Sequence, residues 1–134
     1  MNAGKNPALY LAQMLDSAEV IAEYLGGDVQ NYRDSRLIRD AVHRNLEIIG
    51  EAAKRCPEAT RAQYPDIPWR GMAGLRDVLI HDYDGTDPEE VVPVLTEHLP
   101  RLREQLTVAL KREAFLAVLD KVPDAPPLPG DELP

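Results

Sequence analysis

The chain has 134 residues, with 23 acidic and 15 basic side chains and a formal net charge of −8 at pH 7. This length suits a single domain with a buried core, and the single cysteine excludes a disulfide framework and a cysteine-cluster zinc site. No apolar run approaches the roughly 18 residues that span a bilayer, and the first residues lack the apolar stretch of a signal peptide. The sequence therefore predicts a cytoplasmic protein with no membrane segment.

Helical signals occupy the first half of the chain. Apolar residues recur at helical spacing over residues 7–25, and a Gly-Gly pair ends that segment. A short polar connection is predicted at 28–33, followed by a longer helix over 35–56 whose N-cap is Asp34-Ser35. Residues 58–64 are long enough for one or two further helical turns.

The second half is punctuated by prolines. A helix is predicted from Pro68 to about residue 83, and a final one over 88–122, with kinks or a break at Pro93 and Pro100. The last residues, 123–134, are rich in proline and acidic, which is typical of a mobile tail. Strand signals are nearly absent. The expected fold is all-α, an antiparallel bundle of four to five helices over residues 1–122 with a kinked C-terminal helix.

Charge is distributed unevenly along the chain. Residues 33–76 contain nine Lys and Arg against six Asp and Glu, whereas the flanking parts are strongly acidic. The overall acidity disfavours nucleic acid as a partner, but the basic middle permits a local phosphate site. Ordinary solvated helix faces explain the same pattern equally well.

The most informative segment is Arg76-Asp77-Val78-Leu79-Ile80-His81-Asp82-Tyr83, in a helix that is otherwise apolar nearly all round. Such a helix belongs inside a bundle or at an interface, where an arginine needs a partner or a task. On a straight helix Arg76 and Tyr83 are offset by about 20°, whereas His81 lies roughly 140° from Arg76. We therefore expect the helix to loosen near His81 and a second subunit to complete the site.

Arginine and histidine without a metal suit the cleavage of RNA by its own 2′-hydroxyl. Histidine can accept or donate a proton near neutral pH, and arginine is a fixed cation for the charge that develops on the phosphate. The carboxylates of Asp77, Asp82 and Asp84 beside one histidine are a weak metal signature. The alternative interpretation is structural: an Arg76–Asp pair and a hydrogen-bonded His81 that join helices.

Three segments resemble the HepT-like branch of the HEPN superfamily. They are RDAVHRNLEIIGEAAK at 39–54, YPDIPWR at 64–70 and GLRDVLIHDY at 74–83, followed by Leu99-Pro100. The resemblance implies a homodimeric α-helical toxin that is a metal-independent endoribonuclease without a cofactor. It also implies that Arg76 and His81 are the catalytic pair, with both subunits lining a cleft at the dimer interface.

The resemblance further implies a partner, a minimal nucleotidyltransferase antitoxin of a type VII-like toxin–antitoxin system. That partner would silence the toxin by transferring AMP from ATP to Tyr83, which otherwise positions substrate. The added charge and bulk would exclude RNA. The family often has asparagine where this chain has Asp77, and a carboxylate there would raise the pKa of His81 or repel an incoming phosphate.

Two further points stay open at the level of sequence. Arg39, His43 and Arg44 are candidates for RNA-backbone contacts at the rim of the cleft, or else form a solvated face that pairs with Asp40 and Glu47. The competing functions are a HEPN module that binds RNA, nucleotide or its nucleotidyltransferase partner without cleavage, and a purely structural helical dimer.

Overall fold

The computed structural model describes residues 6–81 and 85–122, and every regular element in these ranges is helical. The predicted all-α fold with an irregular C-terminal helix is therefore confirmed. The predicted tail at 123–134 and the motif residue Tyr83 lie outside the described residues. The α-helices are α1 (Ala8–Leu25), α2 (Gln30–Asp34), α3 (Arg36–Arg55), α4 (Glu58–Gln63), α5 (Trp69–His81) and α6 (Leu99–Asp120).

Helix α1 packs against both α3 and α6. It ends as predicted at the Gly-Gly pair. Gly26 adopts a left-handed conformation with φ of 60°, and its N–H donates to the carbonyl oxygens of Ala22 and Glu23. Glycine adopts this conformation without a steric penalty, which explains why the helix ends there.

The predicted polar connection at 28–33 contains most of the short helix α2, which the sequence pattern did not predict. The Asp28 carboxylate accepts the backbone N–H of Gln30 at 2.9 Å and caps the new turn. Tyr32 then points into the core and is fully buried. Burial of one large aromatic side chain outweighs the polar composition of the segment.

Helix α3 begins and ends where the sequence predicted. The Ser35 hydroxyl accepts the backbone N–H of Ile38 at 3.2 Å, and the helix stops at Arg55, before Cys56 and Pro57. Its buried residues contact both α1 and α5. Helix α3 therefore forms one wall for the segment that carries the motif.

The predicted irregularity in the final helix is confirmed, and it lies between Pro93 and Pro100. Asp87 caps a 3-10 turn over Pro88–Val91, and a π-helical segment follows over Val94–His98. Pro100 lies in the first turn of α6, directly after this segment, and has no N–H to donate to the preceding helical turn. None of the described helices has both the length and the apolar character required to cross a membrane.

Candidate functional site

Helix α5 presents two different faces. Trp69, Met72 and Leu79 are buried against the bundle, whereas Val78 and Ile80 are 47% and 43% exposed. The expectation that no face of this helix is free for solvent does not hold within one chain. Two apolar side chains of the motif segment thus remain exposed between Arg76 and His81.

Arg76 is held by carboxylates from two helices. Its Nε lies 3.0 Å from Oε2 of Glu51 on α3, and its Nη1 donates to Oδ1 of Asp77 at 2.8 Å. The Nε–H does not point along the Glu51 contact well enough for a hydrogen bond, so that contact is an ion pair. The Arg76 side chain is 22% exposed. The arginine is therefore positioned, and it keeps access to solvent.

Asp77 connects this pair to a further cation. Lys54 Nζ on α3 lies 3.3 Å from the same Asp77 oxygen that accepts from Arg76. The hydrogen bond from Arg76 and then that from Lys54 lower the pKa of Asp77. The hydrogen bond to Asp77, supported by the charge of Glu51, raises the pKa of Arg76. Both shifts favour the charged forms of Asp77 and Arg76.

A cleft of about 520 Å³ opens beside Arg76 between α1, α3 and α5. Three arginines line it, namely Arg44, Arg55 and Arg76, and acidic residues of α1 and α3 line it as well. Ile80 is the other residue of α5 in its wall. The cleft is large enough for a nucleotide-sized group, and its cations are partly neutralised by carboxylates.

His81 is the last residue of α5 and is exposed. Among the described residues, no hydrogen bond or ion pair links His81 to Arg76, and His81 does not line the cleft. The structure places the two members of the expected catalytic pair on one helix without joining them. Asp82, Tyr83 and Asp84 lie outside the described residues.

The three candidates for RNA contact occupy different environments. Arg39 donates to the backbone carbonyl of Arg33 at 2.7 Å and so caps the end of α2. His43 is 6% exposed, and its Nε2 lies 2.7 Å from the Tyr32 hydroxyl, so it is not on the exposed face that the sequence suggested. Arg44 is exposed, lies 3.5 Å from Glu47 and lines the cleft. Of the three, only Arg44 combines exposure with the cleft.

Two residues of the site are not apparent from the spacing of residues in the sequence. Glu51 and Lys54 lie one turn apart on α3, a common pattern on any solvated helix. Their contacts with Arg76 and Asp77 depend on how α3 and α5 pack, which no local pattern reveals. Within residues 6–81 and 85–122, no group of three or more histidine, cysteine or acidic side chains could hold a metal ion.

Comparison with known proteins gives a consistent family. Residues 14–109 match the sequence family described as "Ribonuclease HepT-like". A "Putative RNase" of Caldanaerobacter subterraneus subsp. tengcongensis is 33% identical over 110 residues, which cover 81% of this chain and 98% of the relative. A "Probable ribonuclease HepT" of Thermococcus cleftensis is 37% identical over 95 residues, covering 70% of this chain and 86% of that protein.

A third relative is longer. The "Gamma-glutamylcyclotransferase and putative RNase" of Methanocaldococcus jannaschii is 38% identical over 103 residues, and the match covers 76% of this chain but only 46% of that protein. No solved structure matches the chain. The family match covers well over half of the residues, and its range includes both Arg76 and His81. The chain therefore belongs to the HepT-like ribonuclease family of the HEPN superfamily.

Proposed function

We propose that this protein is a metal-independent endoribonuclease in which Arg76 and His81 act on the scissile phosphate of RNA. The observation that carries the proposal is the position of Arg76 on the wall of a cleft, five residues before an exposed histidine at the end of the same helix. The RNA 2′-oxygen attacks the adjacent phosphorus, the bond to the 5′-oxygen breaks, and a 2′,3′-cyclic phosphate and a 5′-hydroxyl result. The proton lost by the nucleophile is matched by one gained by the leaving oxygen.

Arg76 and His81 would have different roles in the reaction. His81 is exposed, so it can exchange protons with the nucleophile or the leaving oxygen. Arg76 offers a fixed bidentate cation to the phosphate oxygens once RNA competes with its carboxylates. Arg44, exposed at the cleft, would contact the RNA backbone. Arg39 and His43 have structural partners and would support the site indirectly.

A homodimer would complete the site. Val78 and Ile80 expose apolar surface on the motif helix, and an apolar patch next to charged residues is typical of an interface. Pairing two α5 helices across such an interface would provide two copies of Arg76 and His81, so that one histidine could act as base and the other as acid. Residues 1–122 would form the single HEPN-like domain of each subunit.

The decisive experiment measures RNA cleavage by the purified protein in the presence of EDTA, with detection of 2′,3′-cyclic phosphate ends. His81→Ala should lower the cleavage rate by a factor of about 10² to 10⁴, the usual contribution of a general acid or base. The matched control is His98→Ala, which removes an exposed histidine of the π-helical segment far along the chain. Cleavage that survives His81→Ala at the wild-type rate would overturn the assignment.

Arg76 requires a more conservative substitution because it joins α3 to α5. Arg76→Lys keeps the positive charge but loses the planar fork, so the rate should fall while the protein stays folded by circular dichroism. Arg76→Ala is less informative, since it also removes one of the two ion pairs of Glu51, whose other partner is Arg55. Unchanged kinetics in Arg76→Lys would argue against bidentate phosphate contact.

We also propose a biological setting for this activity. We expect the protein to act as the toxin of a toxin–antitoxin pair whose antitoxin is a minimal nucleotidyltransferase that transfers AMP to Tyr83. Co-expression with a nucleotidyltransferase encoded beside the toxin gene should relieve growth arrest and add the mass of one AMP to this protein. A Tyr83→Phe variant should gain no mass. Relief of arrest with no added mass in the wild type would point to neutralisation by binding alone.

One observation favours a second candidate, a HEPN module that binds RNA or its partner without cleavage. Glu51 and Asp77 both neutralise Arg76 in the isolated chain, which weakens its attraction for phosphate. Such a module would bind labelled RNA with an affinity that falls with salt, yet would produce no cyclic phosphate ends.

A further inference from the structure

Helix α6 carries two stripes on opposite faces. Its buried residues Leu99, Leu102, Leu106 and Ala109 face the bundle core. A second series on the solvent side follows the intervals four, three, four and three, namely Glu104, Val108, Lys111, Phe115 and Val118, and Val122 continues it four residues later, just past the last residue of α6. Alternating steps of three and four are the heptad spacing by which one helix packs along another. We call this series the α6 seam.

The apolar members of the seam have no partner in the described part of the chain. Val108, Phe115, Val118 and Val122 are each at least half exposed, as is the adjacent Leu119. Phe115 is the only phenylalanine of the chain, and the last residue of α6 that is fully buried is Ala109. The final turns of α6 therefore extend past the core with large apolar side chains in water, which is typical of a surface that packs against another helix.

The charged members of the seam are complementary to each other. Glu104 and Lys111 are both exposed, and neither forms an ion pair with another residue in the described ranges. Two copies of α6 in antiparallel orientation, centred between Thr107 and Val108, place each Glu104 level with the other copy's Lys111. A parallel pair would instead put like charges side by side. The antiparallel register is also the one that a two-fold axis produces.

The same register gives Phe115 a place to bind. A groove of about 600 Å³ lies at the start of α6, lined by Pro100, Arg103, Glu104, Thr107 and Val108 together with Glu19 of α1. When Glu104 is level with Lys111, Phe115 of one copy is level with Pro100 of the other. The exposed ring of each copy therefore meets the groove of its partner, as a knob meets a hole.

We propose that the α6 seam is a self-association surface, which takes a second copy of this chain in antiparallel orientation with Phe115 seated in the groove beside Pro100. The surface is separate from the Arg76 cleft, since no residue lines both the groove and the cleft. Pairing through α6 is thus distinct from any pairing of motif helices, and the two together would produce assemblies larger than a dimer.

The test compares mass in solution across a concentration series, by sedimentation or light scattering of the full chain. Phe115→Glu should weaken self-association by about tenfold or more, because it places a charge in an apolar contact. The matched control is Leu37→Glu, which changes an apolar side chain of α3 that is 80% exposed. This control should leave the mass unchanged. Circular dichroism checks that both variants are folded.

A charge exchange tests the register itself. Lys111→Glu and Glu104→Lys should each reduce self-association, since each places like charges at the same level, and the double variant should restore it. A wild type that stays monomeric, an unchanged mass for Phe115→Glu, or failure of the double variant to restore assembly would overturn the proposal. So would seam variants that keep their self-association but lose binding to the nucleotidyltransferase, because the face would then take a different partner.

The result of the self-association test does not depend on whether the protein cleaves RNA. If Phe115→Glu lowers the mass while RNA cleavage persists, the seam is confirmed as separate from the active site. If no variant cleaves RNA but the charge exchange still restores assembly, the proposed ribonuclease activity fails and the seam stands.

Discussion

Gly50 of α3 lies directly against Arg76 of α5. A Cβ atom placed on Gly50 would lie 2.3 Å from the Arg76 Cβ and 2.5 Å from the carbonyl oxygen of Met72. Only a residue without a side chain permits this approach of the two helices. The close contact sets the position from which Arg76 reaches Glu51, the next residue along α3.

Replacement of Gly50 by alanine should therefore destabilise the protein. Alanine in a helix is ordinarily favoured over glycine by about 0.5–1 kcal/mol, but overpacking of a tight contact costs about 1–3 kcal/mol. We expect a net loss of stability on the order of 1–2 kcal/mol, measured from urea denaturation, together with a slower cleavage rate as Arg76 shifts.

Gly74 on α5 provides the control for this prediction. No atom lies within 4 Å of a Cβ placed there, so Gly74→Ala should stabilise the protein by about 0.5–1 kcal/mol. Changes of the same sign in both variants would show that helix propensity, not the contact with Arg76, decides the effect.

Asp77→Asn should strengthen RNA binding. The substitution removes a negative charge that now receives hydrogen bonds from Arg76 and Lys54, while an amide oxygen can still accept from the arginine. Asp77 is about half exposed, so solvent screening limits the effect to roughly a two- to fivefold lower KM. The measurement is the KM for a short RNA at two salt concentrations.

Lys54→Gln tests the same effect of the Asp77 charge on the KM for RNA, with the opposite expected change. It leaves Asp77 less neutralised, so the KM for RNA should rise while kcat changes little. A lower KM in both the Asp77→Asn and the Lys54→Gln variant would indicate that these residues affect RNA binding through the fold and not through charge.

The helices could be predicted from sequence because their signals are local. Ser35 caps α3, Gly26 ends α1, and Pro93 interrupts the final helix, and each effect depends on a few neighbouring atoms. Helix α2 was missed because its stability depends on burial of Tyr32, a tertiary contact within a polar stretch.

The candidate site was only partly predictable for the same reason. Arg76 and His81 stand out because charged residues interrupt an apolar segment. Their partners do not, since the contact of Glu51 with Arg76 joins residues 25 positions apart through helix packing. His43 was misplaced because an exposed histidine and a buried one look alike in a helical pattern, whereas the structure shows its burial and its contact with Tyr32.

His43 should make the stability of the protein depend on pH. The Tyr32 hydroxyl donates to the Pro88 carbonyl at 3.0 Å, and its oxygen lies 2.7 Å from His43 Nε2. Burial lowers the pKa of His43, an effect that Arg39 adds to and that Asp40 and Glu47 oppose. The folded state therefore favours the neutral ring.

The sign follows from linkage. The unfolded chain takes up a proton at this position as the pH falls through about 6.5, before the folded protein does. Stability should thus be full above that pH and decrease below it. Urea midpoints measured between pH 7.5 and 5.5 should fall in the wild type and fall less in His43→Gln. Equal slopes in the two proteins would remove His43 as the cause.

Cys56 should be nearly inert in the native protein. Its side chain is 2% exposed, and burial, the largest effect, raises its pKa to about 11, with Arg61 lowering and Glu113 raising it further. At pH 8 only about 0.1% of such a thiol is thiolate, the reactive form.

Reaction of the native protein with a thiol reagent should therefore be at least about a hundredfold slower than reaction in urea, because labelling of the native protein requires the fold to open. The chain has one cysteine, so Cys56→Ser supplies a complete blank. Rapid stoichiometric labelling of the native protein would mean that the packing between α3 and α4 opens far more readily than the burial of Cys56 implies.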